Sequence, residues 1–447
     1  MAWAHIPATS QNRRGIGDVI LVTFFEKATP VAQHSLLGAA AMTRFNPRRF
    51  TDPDWLGTIA PNLLAALLKP WRDYLAQRGF ALPDPPTERI DCESLTAALM
   101  TPDAHAPAEM LDALYYVHET CSEDDVEALC ATARGRGIVM LTADSANAAD
   151  IVVQIWLADR DLVMDRHAEV IAQRQRNLEF FRARSVMPWP DVEQSSRAEI
   201  ELACDDWFAA HRRGRGCKLL IFPGDRSVSL LVRHGRGMKR ELSHTDDGSS
   251  EPQIYRPQQH DVVVYDCAMG EIGIHATTKG ERHLYLRVLG EVLFGDAAHF
   301  SPMPKFTLRP LVEDGGAALA CCDAEGIDEV RLVEYRQYRG AQFRETETRR
   351  ATDVFAALAA RGLSGLLGPE PSSATFIIKF TDSPKERRVT IRLPSTARYE
   401  RTDDAQLVER WLALRGFLTM RSEDGDHGRV AVAKVLDGAG LAAGMGD

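Results

Sequence analysis

Between Tyr255 and Phe300 the spacing of apolar residues changes period twice. Ile272, Ile274 and Ala276 alternate with Glu271, Gly273 and His275, the period-2 pattern of a strand with one buried face. Just upstream, Val262, Val263 and Val264 run without interruption, which predicts a strand covered on both sides. Gly270 ends the turn between them and can take a positive φ at little cost. From Glu281 to Phe294, Leu284, Tyr285, Val288, Leu289, Val292 and Leu293 form one broad helical stripe, with Gly295 as its stop. The pattern predicts strand, turn, strand and helix, each with a face to bury on the other.

Upstream of this unit the spacing is helical from about residue 33 to 210. Helices are predicted over 62–76 with a break near Pro70, over 108–120, over 148–157, over 162–173 and over 197–212. Ser122 followed by Asp125 caps another helix running through Leu129. The apolar run 18–25 fits a strand or a buried helical turn equally well. Pro188 and Pro190 mark 184–194 as a linker. Hairpins are predicted at 218–233 and 376–393, single strands at 306–311, 317–322, 329–338, 417–420 and 429–435, and helices at 351–360 and 403–415. The polar stretch 241–259, with Asp-Asp-Gly-Ser-Ser at its centre, reads as a loop.

These elements make an α+β chain. The expected divisions are a helical acidic domain at 1–185, a linker helix plus the central hairpin-helix domain at 186–300, a second α+β module at 301–368 and a hairpin-helix-hairpin module at 369–447. The last of these has the element order of a winged-helix tail, although a second helix for a helix-turn-helix is missing.

Charge sharpens the division. Residues 1–210 hold 19 Lys and Arg against 30 Asp and Glu, whereas the rest of the chain holds 34 against 33. The eight cysteines show no Cys-x-x-Cys pair, which predicts free thiols in a reducing compartment rather than a zinc site or a disulfide frame. With no run of 18 apolar residues and no apolar leader, a cytoplasmic protein without membrane contact is expected.

The densest chemistry is basic. Between 212 and 240, Arg212, Arg213, Arg215, Lys218, Arg226, Arg233, Arg236, Lys239 and Arg240 face a single acid, Asp225. Glycines at 214, 216, 235 and 237 allow close backbone approach. This pattern suits phosphate or nucleic-acid contact, with Arg212, Arg213, Arg215, Lys218, Arg233, Arg236, Lys239 and Arg240 as the contact residues. The bland alternative is a solvated face neutralised by the acidic half. Asp266 and Glu271, with Lys279 beyond, resemble the carboxylates and lysine of metal-dependent nucleases, but Gly273 stands where the lysine is usually found. Seven of the 13 histidines fall between 211 and 299 without ligand spacing, so no metal site and no cofactor are expected. The glycine pattern at 438–443 has no helix length behind it to hold a dinucleotide. The expected role is a non-catalytic binding or assembly protein, meeting nucleic acid through 212–240 and a protein partner through the acidic half. A nuclease centred on Asp266 and Glu271, or a purely structural scaffold, is the alternative.

Overall fold

The computed structural model describes residues 51–83, 89–100, 106–140, 146–244, 248–340, 342–400 and 405–419, and the chain is of the α+β class. Its strands are β1 (Asn177–Ala183), β2 (Lys218–Pro223), β3 (Ser227–Gly235), β4 (Lys239–His244), β5 (Ser250–Tyr255), β6 (Gln258–Asp266) and β7 (Glu271–His275), followed by β8 (Phe300–Pro302), β9 (Ile327–Gly340), β10 (Glu345–Arg350), β11 (Ser373–Phe380), β12 (Arg387–Arg392) and β13 (Thr396–Arg398). All but β4 and β5 join one antiparallel sheet in the order β10-β9-β11-β12-β13-β1-β7-β6-β3-β2, with β8 beside β1. β1 is the seam: one edge pairs with β7 and the other with β13 and β8.

The sheet is covered on opposite faces along its length. Over β2, β3, β6, β7 and β1, the helices Gln194–Ala210 and Lys279–Phe294 bury Ile200, Phe208, Leu284, Val288 and Leu289 against Leu230, Val263, Ile272 and Ile274. Over β9, β11 and β12 the buried residues point the other way. Leu332, Phe376 and Ile391 meet Trp411 of the helix Ala405–Leu414 and Leu358 of the helix Val354–Ala359. The alternation along β11 fixes this: Ala374, Phe376, Ile378 and Phe380 lie in that core, while Ile377 on the reverse face belongs to none.

The helices between Pro53 and Gln173 form their own core of leucine, valine and alanine side chains. Three of their starts are capped by Ser122, Asn147 and Asp159, whose side chains accept from the backbone amides three residues on. The helix Arg160–Gln173 also lays Ala168, Ile171 and Ala172 on Leu231 and Val262, on the sheet face opposite the Lys279–Phe294 helix. No helix among the described residues is long and apolar enough to cross a membrane.

The central hairpin and its helix form as the spacing predicts. Gly270 has φ 61° and Gly295 φ 70°, and Thr278 and Glu281 close a capping box at the helix start. Other expectations fail for identifiable reasons. Residues 306–311 and 317–322 are not strands. Pro310 starts a four-residue helix and Gly315 a 3₁₀ turn; Leu311 and Leu319 reach the core from these turns, Leu308 from just before them, and Phe306 makes only an isolated bridge to Leu418. The stretch 241–259 is not a loop: β4 and β5 pair over six residues each, and β6 follows at Gln258. Its polarity reflects exposure on both faces, not lack of pairing. β1 stands where no strand is expected. The run 18–25, the glycine pattern at 438–443 and the strand 429–435 that would complete the winged-helix order lie outside the described residues.

Candidate functional site

The basic segment divides when folded. Arg213 pairs with Glu281, Arg215 with Asp206 at 2.8 Å, Lys218 with Glu201 at 3.1 Å, and Lys239 with Glu241 at 3.7 Å. Two of these acids, Glu201 and Asp206, belong to the helix Gln194–Ala210, so part of the expected cationic surface is neutralised from within. Arg212, Arg233, Arg236 and Arg240 have no carboxylate partner among the described residues. Arg212 sits at φ 61° with its carbonyl accepting from Arg256 at 3.2 Å. Arg240 is exposed on β4.

β4 and β5 pair only with each other and continue the β3–β6 pair outward as a two-stranded ribbon, bridged at its base by Arg236 N donating to Pro257 O at 2.8 Å. Six residues per strand give an arm roughly 20 Å long. Direct pairing puts Arg240 with Ile254 and Leu242 with Pro252 on one face, and Lys239 with Tyr255 and Glu241 with Gln253 on the other. Met238, Leu242 and Ile254 are each more than half exposed.

Beneath the ribbon's base is a buried polar network that the sequence does not announce. Asp261 Oδ2 accepts from Tyr285 at 2.8 Å and lies 3.2 Å from His234 Nε2, while Gln259 donates to Oδ1 at 2.8 Å. The His234 ring stacks on Phe208 at 4.0 Å, and its Nδ1 donates to the Gly235 carbonyl at 2.9 Å. An acceptor therefore stands beside each ring nitrogen of His234. His234, Asp261 and Glu281 offer ligand atoms within 4.8 Å of one another. Each of those carboxylate oxygens already accepts a protein hydrogen bond, with Thr278 and Arg213 serving Glu281, so a metal would have to displace them.

On the reverse sheet face, Arg233 stands opposite His260, which also meets Gln258 at 3.0 Å. His167 of the helix Arg160–Gln173 bonds Tyr115 at 3.4 Å. Burial, then His167 and Arg233, push His260 down to about 4, and burial lowers His167 as well.

The carboxylate pair does come together. Asp266 and Glu271 are cross-strand partners at one end of the β6–β7 hairpin. Lys279 does not join them; it begins the helix at the hairpin's far end, roughly 14 Å of strand away. Lys305 takes its place, 2.5 Å from Glu271 and 4.0 Å from the Phe180 ring, and Arg182 lies 3.4 Å from Glu271 on the other side. These residues line a shallow crevice with Phe181 and Met303. Burial raises the Glu271 carboxyl, but Lys305 and Arg182 outweigh it and hold the group below the usual range. Burial also raises Asp266, only partly offset by amide hydrogen bonds from Met269 and Ala268.

Comparison of the chain with protein-family models and with curated proteins found no match in either.

Proposed function

We propose that this is a non-catalytic binding or assembly protein that meets nucleic acid at the outer part of the 212–240 segment and a protein partner on its acidic helical half. The observation that carries the reading is the β4–β5 ribbon, with Arg236 at its base and Arg240 on its face, neither held by a carboxylate among the described residues. A two-stranded ribbon has the width to enter a duplex major groove. Unpaired arginines release counterions on binding, so the contact should weaken steeply with salt. The four cations paired with Glu281, Asp206, Glu201 and Glu241 drop out of the contact set.

The test is fluorescence anisotropy of a labelled 20-base-pair duplex with the full chain across a salt series. Binding that falls with salt and is lost in Arg236→Glu/Arg240→Glu supports the reading. Equal binding by that variant removes the ribbon from the contact.

A second reading is a hydrolase at the crevice, favoured by the convergence of Asp266, Glu271 and Lys305 and by the opposite displacement of the two carboxyls. Magnesium- or manganese-dependent cleavage of plasmid DNA, abolished by Glu271→Gln, would establish it; absence of cleavage by the native chain ends it.

A further inference from the structure

Among the described residues, no helix covers the sheet face formed by β10, β9, β11, β12 and β13 on the side away from Trp411. The helices Gln194–Ala210 and Lys279–Phe294 occupy this side only as far as β1, where Arg282 reaches Glu179 at 2.8 Å. Beyond that seam, Ile377 is the one apolar side chain that β11 points this way, and it packs into no core cluster.

The residues on this face follow from the registers. One row across the strands reads Thr348, Arg336, Ser373, Arg392 and Thr396. The next reads Arg350, Glu334, Thr375, Thr390 and Arg398, and a third brings Arg331, Ile377 and Arg388 together. Arg336, Arg388, Arg392 and Arg398 are all exposed and have no carboxylate partner among the described residues. The acid in the middle, Glu334, is already taken by Arg350 at 2.5 Å. Arg331 is held by Glu329 and Glu386 at the margin.

We propose that this open face binds the phosphate backbone of nucleic acid. Ser373, Thr390 and Thr396 stand between the arginines and can donate to phosphate oxygens, as arginine can. Arg336 and Arg392 lie two strands apart in one row, roughly 10 Å, a separation that lets both reach phosphates of one backbone. An acidic protein fits less well. Tight protein interfaces are anchored by buried aromatic or aliphatic side chains, and β11 brings only Ile377 to this face, with Tyr338 exposed at its rim. The strands hold the arginines at fixed spacing before any ligand arrives, which lowers the ordering cost of binding.

The site rests on the nucleic-acid reading above but on different residues, and the two separate experimentally. The full chain, Arg392→Glu/Arg398→Glu and Arg236→Glu/Arg240→Glu are titrated against a labelled 20-nucleotide single strand and the matching duplex. All four substituted side chains are solvent-accessible and make no ion pair, so each variant should melt like the native chain by circular dichroism. The expected result is at least a tenfold loss of affinity in the sheet variant for whichever strand form the native chain binds. Its salt slope should fall by roughly two units, near one per phosphate contact removed. Such a loss, with or without one in the ribbon variant, upholds the open face. Native affinity in the sheet variant overturns it, and if the ribbon variant alone fails then the ribbon reading stands by itself. No binding by the native chain overturns both.

Discussion

Arg213, in the turn that follows the Gln194–Ala210 helix, holds the carboxylate of Glu281 in the first turn of the Lys279–Phe294 helix. Glu281 is fully buried, and its second oxygen accepts from Thr278. One side chain thus caps its own helix and ties it to a neighbour. Trp207 and Phe208 stack beside the guanidinium, 5.7 and 6.0 Å from their ring centres.

Arg213→Ala should therefore leave a buried carboxylate without its cation and destabilise the chain by about 3–5 kcal/mol. Arg213→Met/Glu281→Leu, which removes both charges, should cost markedly less. Urea unfolding of the two variants checks the difference; equal losses would mean that the charges themselves do not matter.

Tyr285→Phe removes the hydroxyl that serves Asp261 and leaves that oxygen facing His234 alone. The expected cost is about 1–3 kcal/mol, the usual penalty for a buried acceptor that loses a donor. Thermal denaturation of the variant measures it, and an unchanged midpoint would show that Asp261 is satisfied without Tyr285.

His260 and His167 give the fold an acid-sensitive latch between the Arg160–Gln173 helix and the sheet. Both are held below the ordinary histidine value of 6.5, His260 to about 4, with Arg233, His234 and Asp261 also acting on His260 and Glu119, Arg174 and Asp125 on His167. The unfolded chain then binds more protons than the folded one once the pH drops below about 6.5, so stability falls from there and keeps falling toward pH 4. For His260 the loss at pH 5 is of the order of 1–2 kcal/mol. Denaturation midpoints between pH 7.5 and 4.5 should show this slope, and His167→Gln/His260→Gln should flatten it.

Replacing residues 239–255 by a short glycine-serine turn should change stability by no more than about 0.5 kcal/mol, because β4 and β5 pair only with each other and their side chains are almost all exposed. A large drop in melting temperature on deletion would mean that the ribbon is part of the fold rather than an appendage.

The hairpin and helix of 261–294 are legible in the sequence because period, turn glycine and C-terminal stop agree with one another. Residues 317–322 are not, since a short apolar run fits a buried turn as well as a strand. β1 escapes because Asn177–Ala183 adjoins a helical region and its strand character comes from β7 and β13, far along the chain. His234 and Asp261 are 27 positions apart, and only the β3–β6 register and the Tyr285 helix bring them together. Arg388 and Arg392 can be seen alternating with Val389 and Ile391, but nothing in that alternation says that no helix among the described residues will cover them.

The place of β1 between two halves of the sheet sets an order of assembly during synthesis. β7 is the first strand made after β1 that pairs with it, bringing β6, β3 and β2 along, whereas β13 is the last strand described and lies more than 200 residues beyond β1. Until it arrives, the outer edge of β1 at Asn177–Glu179 stays open, a row of unpaired amides and carbonyls that other nascent chains can join. A chain stopped before Thr396 would keep that edge permanently and should aggregate, while one that runs on through the buried Phe417 to Thr419 would not.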